Sequence, residues 1–164
     1  MPRVYVSVGS NIERERYVRS AMKALRERFG ELVVSRVFES EAVGFVGDDF
    51  FNLVVGFDTD VPVFDVVAGL RDIELAHSRD RRAPRFSSRT LDLDLLLYGD
   101  LVMDEQGIRL PRDEISRYAF VLGPLAEIAG EARNPLDGRR FADMWREFDQ
   151  ASQAMRPVEL DIAE

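Results

Sequence analysis

Leu32-Val33-Val34-Ser35-Arg36-Val37-Phe38 and Phe50-Phe51-Asn52-Leu53-Val54-Val55-Gly56-Phe57 occupy the middle of the chain's pattern. Both runs are rich in β-branched and aromatic residues, and they predict two strands paired antiparallel around a loop at residues 39–49. A helical period follows on either side. Residues 13–29 place Tyr17, Val18, Ala21, Met22, Leu25 and Phe29 at spacings of three and four, and Gly30 is the stop signal. On the other flank Val61-Pro62 opens a second helix to about His77, with Val63, Val66, Val67, Leu70, Ile73 and Leu75 as its apolar content. Outermost lie two more strand patterns, residues 4–8 and 91–98; the first runs into Gly9-Ser10-Asn11, where Asn11 is expected to cap the following helix. The order β-α-β-β-α-β predicts an α+β, ferredoxin-like fold, with helices packed on one face of an antiparallel sheet.

Two shorter helices are expected at residues 118–129, where Pro124 should interrupt or end a first turn, and at 139–148. Residues 1–150 are expected to form one domain, and residues 151–164, polar and aperiodic, a frayed tail. A length of 164 residues suits a single core, and 46% hydrophobic beside 32% charged residues is too apolar for disorder. The absence of cysteine excludes disulfides and thiolate sites, and one histidine, His77, excludes a multi-histidine metal centre. Any metal must therefore sit on carboxylates. His77 itself reads as a helix C-terminal residue facing the dipole. Met1-Pro2-Arg3 leads directly into the first strand and no apolar run nears the roughly 20 residues of a membrane span, so a cytoplasmic monomer without membrane contact is expected. A net charge of −8 disfavours nucleic acid.

Charge is uneven along this acidic chain. Arg79, Arg81, Arg82, Arg85 and Arg89, with Arg71 earlier on the helix, stand against the single acid Asp80 of that loop, which suggests a small anionic ligand. Immediately after it, Asp92 and Asp94 are two apart on a predicted strand and so project from one face. A solvated polar face would give the same Asp-x-Asp, and a solvated basic loop the same arginines. Together they match another chemistry. Mg²⁺ takes one or two carboxylates plus substrate phosphates, and guanidinium groups grip phosphate oxygens in pairs, which is the equipment of phosphoryl transfer. No Gly-x-x-x-x-Gly-Lys loop is present, so arginines must hold the phosphates. Asn52, an amide between Phe51 and Leu53 in a buried strand, must find hydrogen-bond partners.

Val6-Ser7-Val8-Gly9-Ser10-Asn11, Phe51-Asn52-Leu53-Val54, Ile73-Glu74, Arg89-Thr90-Leu91-Asp92-Leu93-Asp94-Leu95, Phe120-Val121-Leu122 and Pro124-Leu125-Ala126-Glu127-Ile128 together resemble the 6-hydroxymethyl-7,8-dihydropterin pyrophosphokinase family over nearly the whole chain. The resemblance implies Mg²⁺-dependent transfer of pyrophosphate from ATP to 6-hydroxymethyl-7,8-dihydropterin in folate biosynthesis. It implies that Asp92 and Asp94 hold two Mg²⁺ ions and that Arg79, Arg81 and Arg89 meet ATP on a loop that closes over the substrates, Arg79 and Arg89 joining the two aspartates in catalysis. It further implies that Phe50 and Phe120 sandwich the pterin, that Asn52 reads its amide edge, and that groups around Gly9 and from Ser40 to Val43 complete that pocket. Glu74 matches a position near the nucleotide, although a helix-surface salt bridge is an equal reading. Ser87-Ser88 replaces a common Gly-Pro, Arg112 stands where the family has histidine, and Tyr118 stands where it has a basic residue, so phosphate contacts are expected to be shared among Arg109, Arg112 and Arg117. The alternatives are a non-catalytic pterin- or nucleotide-binding paralogue and a nucleic-acid binder using the arginine loop.

Overall fold

The computed structural model describes residues 1–43, 46–77 and 90–162. Strand β1 (Arg3–Ser10) leads into helix α1 (Arg14–Phe29), the short strands β2 (Val33–Val34) and β3 (Val37–Ser40), β4 (Phe50–Asp58), α2 (Val63–Ala76) and β5 (Asp92–Tyr98). Then come a small hairpin of β6 (Met103–Glu105) and β7 (Ile108–Leu110), helices α3 (Glu114–Arg117), α4 (Ala119–Ala129) and α5 (Phe141–Glu147), a 3₁₀ turn at Gln150–Ser152, and β8 (Met155–Val158). The main sheet has the order β5-β1-β4-β3-β8, with β2 also on β4, and every pairing is antiparallel. Strand alternation divides its side chains between two cores. Val4, Val6 and Val8 of β1, Leu53 and Val55 of β4, and Leu93 and Leu95 of β5 pack with Val18, Met22, Leu25, Val66, Leu70 and Ile73 from α1 and α2. Tyr5, Val54 and Leu96 face the other way, toward Val121, Leu122 and Leu125 of α4 and Phe141 and Met144 of α5. Each fully buried Leu or Val contributes about 1.5–3 kcal/mol of transfer free energy.

The ferredoxin-like core is therefore present, with α1 and α2 on one face as expected, and a second helical layer is added on the other. Gly30 ends α1 with φ 86° and donates its N–H to the Arg26 carbonyl, and His77 follows α2 with its Nδ1 2.7 Å from the Ile73 carbonyl, both as the sequence suggests. Several expectations need correction. Asn11 does not cap α1: Glu13 occupies that position in a left-handed conformation with no side-chain cap, and Asn11 Nδ2 instead donates to the Asp48 carbonyl at 3.0 Å. The strand expected over residues 32–38 is split, because the Ser35 hydroxyl takes the Val54 N–H and donates to the Arg36 carbonyl, diverting the ladder. Pro124 lies inside α4, which continues past it; the position four residues earlier is Phe120, whose carbonyl therefore has no helical N–H to accept.

The described part of the tail, residues 151–162, is not frayed. Met155–Val158 pairs with Val37–Ser40 as the outer strand of the sheet, Leu160 and Ile162 pack on the α1 core, and Arg19 and Arg26 donate to the Asp161 and Ile162 carbonyls. Among the described residues no helix is long and apolar enough to cross a membrane.

Candidate active site

The pairing registers place the chemistry on one line across three strands. On β1, Gly9 pairs with Asp92 of β5 on one side and with Asn52 of β4 on the other, while Ser7 pairs with Asp94. Directly opposed residues of an antiparallel pair share a face, so Asp92, Asp94, Gly9 and Asn52 all lie on the face turned toward α4, away from α1 and α2. Asp92 and Asn52 are thus two strand spacings apart, about 10 Å. Gly9 between them has little room for a side chain: a Cβ there would stand 3.1 Å from Asn52 Oδ1 and 3.8 Å from Phe50 Cδ1.

At one end of the line is the carboxylate pair, half-buried at the edge strand β5. Glu74 reaches it from α2. The Glu74 side chain is buried, 3% exposed, and its Oε2 accepts the Leu93 N–H at 2.8 Å, so it fixes the peptide between the two aspartates. That burial takes Glu74 off the helix surface. Arg112 arrives from the segment after β7, anchored by its N–H to the Leu96 carbonyl; its Nη2 lies 3.4 Å from Asp94 Oδ1 and its Nε donates to Glu114 at 2.7 Å. Burial of the guanidinium works to lower its pKa, but Asp94, Glu114 and Asp92 outweigh that and hold it above its ordinary value. The group therefore stays a permanent cation beside the pair. Arg109 is instead occupied by Asp104 on the hairpin and by Asp113 just before α3, and Arg117 also approaches Asp113, at 3.9 Å. Of these three arginines the structure brings only Arg112 to the carboxylates. Arg79, Arg81 and Arg89 lie outside the described residues.

The donor set suits Mg²⁺. It consists of hard carboxylate oxygens, and among the described residues there is no cluster of three carboxylate, histidine or cysteine ligands that would favour a closed, all-protein cage. Thr90, two residues before Asp92, has a buried hydroxyl without a hydrogen-bond partner among the described residues. An unmet buried hydroxyl costs about 1–3 kcal/mol. Sequence reading passed over it because threonine in a strand-forming run carries no signal of its own.

At the other end stands the Asn52 amide, with Phe50 beside it on the same strand face. Asn52 is 6% exposed and donates from Nδ2 to Ser40 Oγ at 2.7 Å, which supplies the partner its burial demands. Phe50 stands beside Gly9 and Asn52; Phe120 sits in the first turn of α4, half-buried, and its ring stacks on Tyr118 at 5.1 Å between centroids. Val43 lies half-buried just after β3. The last residues before Phe50 are pinned from the α1 side: Arg14 donates to the Asp49 carbonyl at 2.9 Å, lies over the Phe51 ring at 3.9 Å, and pairs with Glu39.

A model of the 7,8-dihydro-6-hydroxymethylpterin-pyrophosphokinase (HPPK) family matches residues 5–130. The chain belongs to this family. It is 37% identical to the 2-amino-4-hydroxy-6-hydroxymethyldihydropteridine pyrophosphokinase of Pseudomonas aeruginosa, over 87% of this chain and 89% of that one. The Bacillus subtilis protein of the same name is 34% identical over 76% of each. Among solved structures, wild-type Plasmodium falciparum HPPK-DHPS superposes with a TM-score of 0.68 at 11% identity, covering 90% of this chain and 43% of that longer one, which supports the fold. The HPPK match spans β1 through α4 and hence both ends of the line just described, whereas α5 and β8 lie beyond it.

Proposed function

We propose that this member of the HPPK family transfers the pyrophosphoryl group of ATP to 6-hydroxymethyl-7,8-dihydropterin, with the pterin held at Asn52 and the ATP phosphates at Asp92 and Asp94. The observation that supports this reading most is the register Asp92–Gly9–Asn52, which puts the carboxylate pair and the Asn52 amide about 10 Å apart on one face of the sheet. That span accommodates a bicyclic ring at one end and its hydroxymethyl arm pointing to the phosphates at the other. The hydroxyl oxygen attacks the β-phosphorus in line; its bond to phosphorus forms as its O–H bond gives up the proton to solvent, the bond from that phosphorus to the α,β-bridging oxygen breaks, and AMP leaves.

Two Mg²⁺ ions held by Asp92 and Asp94 would neutralise the transferred group and lower the hydroxyl's pKa. The chain's own groups do the rest. Phe50 and Phe120 fix the ring plane, Asn52 selects the ring's amide edge, and Glu74 keeps the Asp92–Asp94 peptide from turning. Arg112 offers a fixed positive charge to a phosphate oxygen, taking over a place where the family resemblance implies histidine. Arg79, Arg81 and Arg89 are assigned to ATP on the resemblance, and the cytoplasm is the proposed site of action.

The direct test is AMP formation from ATP on addition of the pterin, with and without Mg²⁺. Mg²⁺- and pterin-dependent AMP is expected. Pterin binding without AMP would instead identify a silent paralogue. Arg112→Ala is expected to raise the KM for MgATP about tenfold with the pterin KM within about twofold, and Arg112→Lys to recover part of the loss, since a lysine keeps the charge without the fork. An unchanged ATP KM in Arg112→Ala would remove Arg112 from the phosphate site.

A further inference from the structure

The segment 150–158 touches the backbone beside each wall of the pterin slot, although it lies outside the family-matched residues 5–130. On one side Gln153 bridges the entrance to α4: its Oε1 accepts the Ala119 N–H at 3.0 Å and its Nε2 donates to the Arg117 carbonyl at 2.9 Å. Those two bonds enclose Tyr118 and fix the turn that carries Phe120. On the other side Arg156 pairs with Glu39, its directly opposed residue on β3, and its Nη2 lies 4.0 Å from Asp49 Oδ2. Glu39 precedes Ser40 and Asp49 precedes Phe50, so one guanidinium spans both ends of the connection between β3 and β4. Between these two anchors Met155 pairs with Ser40 in the sheet and packs on α4, where a Cβ at Gly123 would overlap Met155 Cε and fall 3.1 Å from Trp145.

We infer that residues 150–158 act as a strap that sets the distance between the two aromatic walls of the pterin slot, with Gln153 and Arg156 as positioning residues for pterin. The inference rests on the assignment of that slot to pterin. The physical reason is that Phe50 belongs to the sheet and Phe120 to a helix laid on it, and Gln153 and Arg156, three residues apart on one short segment, tie the two together. A ring sandwiched between two aromatic planes is sensitive to their separation, because an added gap of about 0.5–1 Å forfeits roughly a quarter to a half of the dispersion attraction. The strap makes no bond among the described residues to Asp92, Asp94 or Arg112, so its effect should be confined to the pterin.

The test is steady-state kinetics of Gln153→Ala, Arg156→Ala and the double variant in the full chain, with melting temperature measured alongside. The pterin KM should rise about five- to tenfold in each single variant and further in the double, while the ATP KM and kcat stay within about twofold. Arg156→Lys should restore most of the pterin affinity, since the cation toward Glu39 is kept. Arg156 is 68% exposed, so its truncation leaves the cores untouched. A pterin KM that stays within twofold, or ATP and pterin KM values that rise together with a lowered melting temperature, would overturn the strap. If the unaltered chain binds no pterin, the assignment of the slot falls first and the strap with it, which the wild-type titration reveals separately.

Discussion

Alanine at Asp92 or at Asp94 is expected to lower AMP formation by roughly 10³-fold or more while leaving the fold in place, because each removes a proposed metal ligand where phosphoryl-transfer catalysis is almost wholly charge neutralisation and positioning. The fold should survive for a local reason. Both side chains are only half-buried, and the ion pair with Arg112 that Asp94→Ala breaks leaves that guanidinium still bonded to Glu114 at 2.7 Å, so Arg112 is not orphaned. The mutual repulsion of two carboxylates on one strand face also disappears, which offsets the lost contact with Arg112, so the melting temperature without ligand should change little. MgATP should raise the melting temperature of the unaltered protein and fail to do so in either variant, because stabilisation by a ligand requires binding to the folded state. Circular dichroism, a thermal melt with and without MgATP, and the AMP assay together check this. Near-normal turnover in both variants would end the two-carboxylate mechanism.

What the sequence could show follows from how each signal is written. The β-α-β-β-α-β core was legible because its periods of two and near four are long and clean, and the Asp92–Asp94 pair because it is polar within a run of leucines. Asn52 was legible for the same reason. The hairpin after β5 was missed since its turn, Gln106-Gly107, has positive φ at both positions, 53° and 79°, yet lacks the Asn-Gly or Asp-Gly that usually announces it. Strand β8 was missed because it is four residues long and contains Pro157, which a central strand would exclude; among the described residues it lies at the sheet's edge with β3 its only neighbour, where proline is tolerated. Glu74 could be read only as a helix carboxylate, since no local pattern reveals that its partner is the N–H of a residue 19 positions on. Arg109, Arg112 and Arg117 looked equivalent in sequence. Nearby acids separate them: Asp104 and Asp113 hold Arg109, whereas the segment carrying Arg112 is tied to β5 through the Leu96 carbonyl.

Replacing Asn52 by leucine is expected to lower kcat/KM for the pterin by about 10²-fold or more, with the KM for ATP little changed. The magnitude follows from the asymmetry of polar recognition: a buried site that pairs an amide edge rejects a mismatch strongly, because whichever donor or acceptor is left unpaired stays desolvated. In the variant the unpaired groups would be those of the pterin's own amide edge. Leucine is close to asparagine in size and removes its hydrogen-bonding groups, so the result reports pairing and not a cavity. On the protein side the loss is small. Ser40 gives up the 2.7 Å bond from Asn52, but its half-exposed hydroxyl can turn to water, for a stability cost of about 1 kcal/mol. Gly9 sets the limit on how the slot can compensate, since its backbone already approaches Asn52 Oδ1 and Phe50 as closely as a missing side chain permits. A second variant separates recognition from shape: Gly9→Ala should also weaken pterin binding, by crowding Asn52, with all polar groups intact. If Asn52→Leu keeps a pterin KM within twofold of the unaltered protein, the amide does not read the ring, and selectivity must come from the backbone around Ser40 to Val43 alone.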